Sequence, residues 1–191
     1  MSNTRSLREE HQVILKVLDC FEVALTRARA DGVVTSDIFA PFVEFFRGFA
    51  DRCHHCKEED ELFPCLNACG MPRDVGPIAV MLHEHRVGRA HVRAIAESLP
   101  AADDADAAAR QAVLQHGFAF LEMLRNHIFK EDHVLFDMAD QMVEGSAAAA
   151  LADAYRAREV SPDYQQTHDR CARIARELRE RYGSAARGTS P

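Results

Sequence analysis

Apolar residues recur every three or four positions over long stretches of the chain, and no stretch alternates with a period of two between hairpin turns. That pattern predicts a helical protein. A first helix opens at Ser6, where Glu9 three residues on could complete a capping box, and runs through Leu7, Ile14, Leu18, Phe21 and Leu25 to the break at Asp31-Gly32. A second begins near Ser36 or Asp37 and stops at Gly70-Met71-Pro72, with Pro41 early enough in it to cost little. The third, capped by Asp74, ends before Pro100. After an Ala/Asp-rich linker at 101–106 a fourth carries Val113 to Met142 and finishes at Gly145. Beyond an alanine-rich stretch at 147–154, Ser161-Pro162 reads as a cap followed by proline at the first helical position. It opens a fifth amphipathic helix over 163–182, followed by a frayed tail, Gly183 to Pro191. The expected fold is all-α: an up-down-up-down antiparallel four-helix bundle over 5–145, with an additional C-terminal helix in an extension over 146–191.

The polar residues that fall on the apolar rows carry the information. In the third helix Ile78, Met81, His85, Gly88, Val92, Ile95 and Leu99 keep the 3-4 spacing without interruption, so His85 sits on the buried row. His11 stands likewise between Leu7 and Ile14. In the fourth helix the row Phe120, Leu124, His127, Glu131, Leu135 and Met138 holds an imidazole and a carboxylate one turn apart. The second helix offers two registers for the same pair, His54 with Glu58 or His55 with Glu59. The row through Val43, Phe46, Ala50, His54, Glu58 and Leu62 has the more apolar neighbours and favours the first. An unpaired carboxylate on an inner row costs several kcal/mol or takes up a proton. One histidine from each of four helices, with two carboxylates at i+4, is a poor core and a good donor set for two metal ions.

Composition sharpens this picture. The chain has 191 residues, 47% of them hydrophobic, enough for a core of its own. A net charge of −7 argues against nucleic-acid binding through clustered basic surface. No apolar run is long enough for a membrane span and the N-terminal residues do not read as a signal peptide, so a cytoplasmic protein is expected. Ten histidines and six cysteines are the unusual counts. Imidazole plus carboxylate without thiolate suits iron or manganese better than structural zinc, and four His with two Glu leave coordination positions for a small ligand such as O2 or NO.

At these residues the sequence resembles the hemerythrin-like HHE cation-binding family across residues 5–145. The strings HHCKEEDELFP, GPIAVMLHEH and HIFKEDHVLF carry the resemblance together. It implies a four-helix bundle around two non-heme irons, oxo- or hydroxo- and carboxylate-bridged, held by His11, His54, Glu58, His85, His127 and Glu131. His-x-x-x-Glu in both the second and fourth helices looks closer to the nitric-oxide-responsive iron-cluster repair subgroup than to the oxygen carriers. The carriers have a second histidine one turn before the position of His85, where this chain has Met81, and an Asp five residues after the fourth-helix histidine, where Asp132 stands beside Glu131. Glu131 is therefore the first candidate and Asp132 the second. The repair proteins carry a cysteine-containing segment before the bundle, whereas here the bundle opens almost at once.

Other features have competing readings. Cys53 and Cys56 form a C-x-x-C without a second copy, and the default for all six thiols is reduced and largely buried, against a zinc or redox-sensor role. Glu84 could support His85 or gate access, and His168 reads as a packing histidine. The expected function is a non-heme diiron protein that binds or senses O2 or NO, or handles iron, at a partly open site, with binding favoured over catalysis. The alternatives are a diiron redox enzyme with peroxidase, NO-processing or cluster-repair activity, and an adaptor stabilised by its metal. The expected partner is a small diatomic ligand, with no nucleic acid and no membrane.

Overall fold

The structure, a computed structural model, describes residues 2–186. Among them there are six helices and no strand: α1 (Arg5–Asp31), α2 (36–68), α3 (Gly76–Asp103), α4 (107–142), α5 (Gly145–Glu159) and α6 (Pro162–Ala186). The first four form the bundle. α1 packs on α2 and α4, α2 on α3, and α3 on α4. Each neighbour runs antiparallel, as paired residues show: Thr4 meets Asp140 at one end of α1 and α4, while Leu25 faces Gly117 at the other. Likewise Ser36 meets Asp103 and Glu59 meets His85 across α2 and α3.

The bundle interior divides into two apolar layers. One, around Phe21, Phe42, Phe46 and Phe120, fills the end where α1 finishes; the other, around Leu7, Leu62, Leu66, Ile78 and Phe136, fills the opposite end. His11 lies between Leu7 of one layer and Ile14 of the other, and the buried polar side chains of the bundle gather at that level. The C-terminal helices close both layers. Leu151 and Tyr155 of α5 join the second, and Cys171, Ile174, Leu178 and Tyr182 of α6 join the first. Both C-terminal helices thus contribute side chains to the bundle's apolar layers.

Several local expectations are corrected. Ser6 does not cap α1: the helix starts at Arg5 with Thr4 before it. The amides of Asn3 and Thr4 go instead to the Asp140 carboxylate, at 2.7 and 3.2 Å, and Glu9 pairs with Arg5. α3 starts at Gly76 rather than from a cap at Asp74, and it continues through Pro100 to Asp103. Proline there costs one amide bond, and burial of Leu99 and Ala102 holds the last turn in place. The turn into α4 is completed by Ala105 with φ 65 and by Asp106, whose side chain accepts from the Ala109 amide at 2.9 Å. α4 consequently opens at residue 107, earlier than the apolar row suggested. The alanine-rich stretch is itself helical, within α5, and α6 extends past Gly183 to Ala186, while the rest of the expected tail, 187–191, lies outside the described residues.

Candidate metal centre

Three departures from α-helical winding position the donors. Amides bond five residues back at Cys56 to Asp51, at Phe63 to Glu58 and at Phe136 to Glu131, so the turns around His54–Glu58 and after Glu131 are widened to the π form. Such widened turns occur frequently at functional sites. Here a wide turn lets two consecutive histidines of α2 both face inward. His54 and His55 are 1% and 7% exposed.

Seven buried side chains converge in two groups. His55, Glu58, His85 and His127 form one, and His11, His54, Glu58 and Glu131 the other; within each, one donor atom per residue lies within 4.8 Å of all the others. Glu58 belongs to both. Its Oε1 is 3.5 Å from His54 Nε2 and its Oε2 is 3.4 Å from His85 Nε2. Glu131 also stands between the groups, with Oε2 at 3.2 Å from both His11 Nε2 and His127 Nε2. His85 Nε2 and His127 Nε2 approach to 3.1 Å. Despite these distances, both oxygens of Glu58 and of Glu131 and the Nε2 atoms of His11 and His54 make no hydrogen bond, and all are buried. Orphaned buried carboxylates and imidazoles aimed at common points cost several kcal/mol unless a further group satisfies them. A pair of divalent cations fits that requirement, and the donor set of imidazole and carboxylate is the kind that suits iron or manganese.

The outer face of every imidazole carries a carboxylate. His11 Nδ1 lies 2.8 Å from Asp132, His54 Nδ1 2.9 Å from Glu10, His85 Nδ1 2.6 Å from Glu59 and His127 Nδ1 2.9 Å from Glu84. His55 Nδ1 is 3.6 Å from Asp51. A proton held on Nδ1 by such a carboxylate leaves the Nε2 lone pair directed inward, the arrangement that histidine ligands use. Cations anchor these carboxylates in turn. Arg89 spans Asp51 and Glu59 at 2.6 and 2.8 Å, Lys130 bonds Glu84, and the fully buried Lys57 meets Glu10 at 2.5 Å and Glu159 at 3.0 Å. Tyr164 of α6 donates its hydroxyl to Glu10 at 3.1 Å.

Titration of the protein groups reflects the crowding. Burial and the neighbouring Glu131 raise Glu58 well above the carboxylate range. Glu131 itself is held well below it, because His127 and His11 outweigh its burial. Burial would lower His127, but Glu131 and Glu84 carry it up to about 9, whereas burial beside His85 takes His55 down to about 3. Strongly perturbed titratable groups gathered in one chamber are a recurring property of functional sites.

All six of the side chains selected from the sequence lie in this chamber. The either-or choice in the second helix does not survive: His54 and His55 both face the chamber, Glu58 lies between the groups, and Glu59 is turned outward to His85 Nδ1. Asp132, the second candidate of α4, sits outside on His11. Glu84 supports His127 rather than its neighbour His85. His55 stood only in the less favoured register, because a constant α-helical turn cannot face both histidines inward. Glu10 gave no signal, because an outer carboxylate is defined by a contact between helices. The remaining histidines lie elsewhere, His91 with His116 at 3.0 Å, and His168 stacked against Tyr164 as packing suggested. No thiol joins either group among the described residues, all six cysteines are free, and burial pushes Cys53 up to about 12.

Comparison with known proteins agrees with this geometry. A family model described as the hemerythrin HHE cation binding domain matches residues 2–139. Uncharacterized proteins of Mycobacterium tuberculosis and Mycobacterium bovis are 25% identical over 176 residues, covering 90% of this chain and 68% of theirs. No solved structure matches significantly.

Proposed function

This chain belongs to the hemerythrin HHE cation-binding family, and from that premise we propose that its chamber holds two non-heme irons and serves to bind or sense O2 or NO. The observation that carries the reading is the pair of four-donor groups sharing Glu58, with their inward atoms otherwise unsatisfied. His55, His85 and His127 would hold one iron and His11 and His54 the other, with Glu58 and Glu131 between them. Two octahedral ions need more donors than these side chains offer, so positions remain for a small ligand. The irons would supply redox-active Lewis-acid positions for that ligand. The protein's part is preorganisation: outer carboxylates fix the ring tautomers of His11, His54, His85 and His127, and the apolar layers lie on either side of the chamber. Phe136 stacks on His11 with centroids 5.2 Å apart and holds that ring's plane.

Elemental analysis of protein produced with ample iron should find about two irons per chain; a single zinc without iron would overturn the reading. Anaerobic reduction followed by O2 or NO, monitored optically, should give a stable adduct. Rapid oxidation with peroxide consumption would instead assign a diiron redox enzyme, and no response to either gas an adaptor.

A further inference from the structure

The chamber is reached through a cavity of about 340 Å³ between α2, α3 and α4, lined at its inner end by His55 and His127. At the ~30 Å³ that a water takes up in the liquid, this is room for about ten non-hydrogen atoms. It falls within the ~300–1,000 Å³ of small-molecule sites. A diatomic gas would leave most of it unfilled. Phe46, Ala50, Val92, Phe120, Met123 and Leu124 make its walls apolar. Two acids also line it, but both are engaged: Asp51 by Arg89, and Glu84 by Lys130 and His127. Arg47 of α2 and Arg93 of α3 line it too, both exposed, and neither has a carboxylate or ring partner among the described residues.

Two guanidiniums without a carboxylate or ring partner among the described residues thus line an apolar cavity whose two acids are already engaged, which leaves them able to hold an anion there. Their planar forks match a carboxylate. We infer that this cavity binds a small amphipathic organic anion of about ten non-hydrogen atoms, its carboxylate on Arg47 and Arg93 and its apolar end toward His55 and His127. The inference rests on the metal-centre reading only for what the apolar end lies against. Binding itself needs the cavity and the arginines.

Octanoate has the required size and charge. Calorimetric titration of the full chain with octanoate, with metal content measured on the same sample, should reveal one saturable site. 1-Octanol, equally long and uncharged, should bind at least tenfold more weakly. Arg47→Ala/Arg93→Ala should weaken octanoate at least tenfold and leave octanol unchanged, and Ala50→Leu should block both by filling the cavity. Absence of saturable octanoate binding, or unchanged affinity in the arginine variant, would overturn the inference. Should Ala50→Leu fail to fold, the exposed arginines still decide it. Octanoate binding without iron would keep this site and sink the diiron reading, and iron without octanoate binding would do the reverse.

Discussion

His54 and His55 are adjacent in sequence and serve different donor groups. His54 leaves His11 as the only other imidazole of its group, whereas His55 leaves His85 and His127 behind. His54→Ala is therefore expected to lower bound metal more than His55→Ala, as read by elemental analysis after identical purification; the reverse ranking would reassign the two positions. Arg89 governs a second property of single residues. Burial would raise Asp51 and Glu59, but His55 and Arg89 on the first and His85 and Arg89 on the second hold both down to about 2. The folded-state values lie below those of the unfolded chain, at roughly 4. Their contribution to stability is thus complete above roughly pH 4 and is lost as pH falls toward 2. Both acids keep some exposure, so solvent screening keeps the effect modest. Arg89→Ala should bring both folded-state values back toward those of the unfolded chain, so the variant is less stable above roughly pH 4 and loses less as pH falls toward 2, measured as the thermal midpoint across that window, and an unchanged pH profile would contradict the assigned clamp.

Regular elements were legible where winding is regular. In α3 the unbroken 3-4 row named Ile78, His85 and Leu99, and all are buried. In α2 the same logic forced a choice between registers, because a row drawn with constant turns cannot represent a helix that widens at Cys56 and Phe63. Helix ends were the least legible. Asp140, which receives the amides at the start of α1, is more than a hundred residues distant in sequence, and a local capping rule cannot see it. Packing between elements is tight where α1 crosses α4. A Cβ placed on Gly117 would stand 2.5 Å from Leu25 Cδ2, and Leu25 is fully buried with nowhere to retreat. Gly117→Ala gains helix propensity of about 1 kcal/mol, yet overpacking costs about 1–3 kcal/mol. The net effect expected in urea unfolding is destabilisation, and a raised midpoint would show that the α1–α4 contact adjusts freely.

At the scale of the molecule, the C-terminal helices are coupled to the chamber through one buried cation. Lys57 is fully buried, held by Glu10 of α1 and Glu159 of α5, with the rings of Tyr155 and Tyr164 5.7 and 5.9 Å away. Glu10 in turn holds His54. Removing residues 146–191 would strip Glu159 and both tyrosines from this network and expose the faces that Ile174, Leu178 and Tyr182 cover. Breaking a buried charge cluster costs about 3–5 kcal/mol, a large part of the stability of a domain this size. The truncated chain is expected to be poorly folded and poor in metal, checked by circular dichroism and elemental analysis. A stable truncated bundle with full metal content would make the extension a separate unit.

By itself the sequence determined the all-α class, the inner rows and six of the seven chamber residues, because helical periodicity and the cost of burying an imidazole or carboxylate are both local properties. Tertiary structure decided the rest. That His55 joins the chamber depends on a widened turn, that Glu10, Glu59, Glu84 and Asp132 hold the rings from outside depends on which helices face each other, and that a cavity lined by Arg47 and Arg93 leads to His55 depends on the gap left between three helices. Contacts and empty space between elements belong to no single stretch of chain, so no periodicity along it could have announced them.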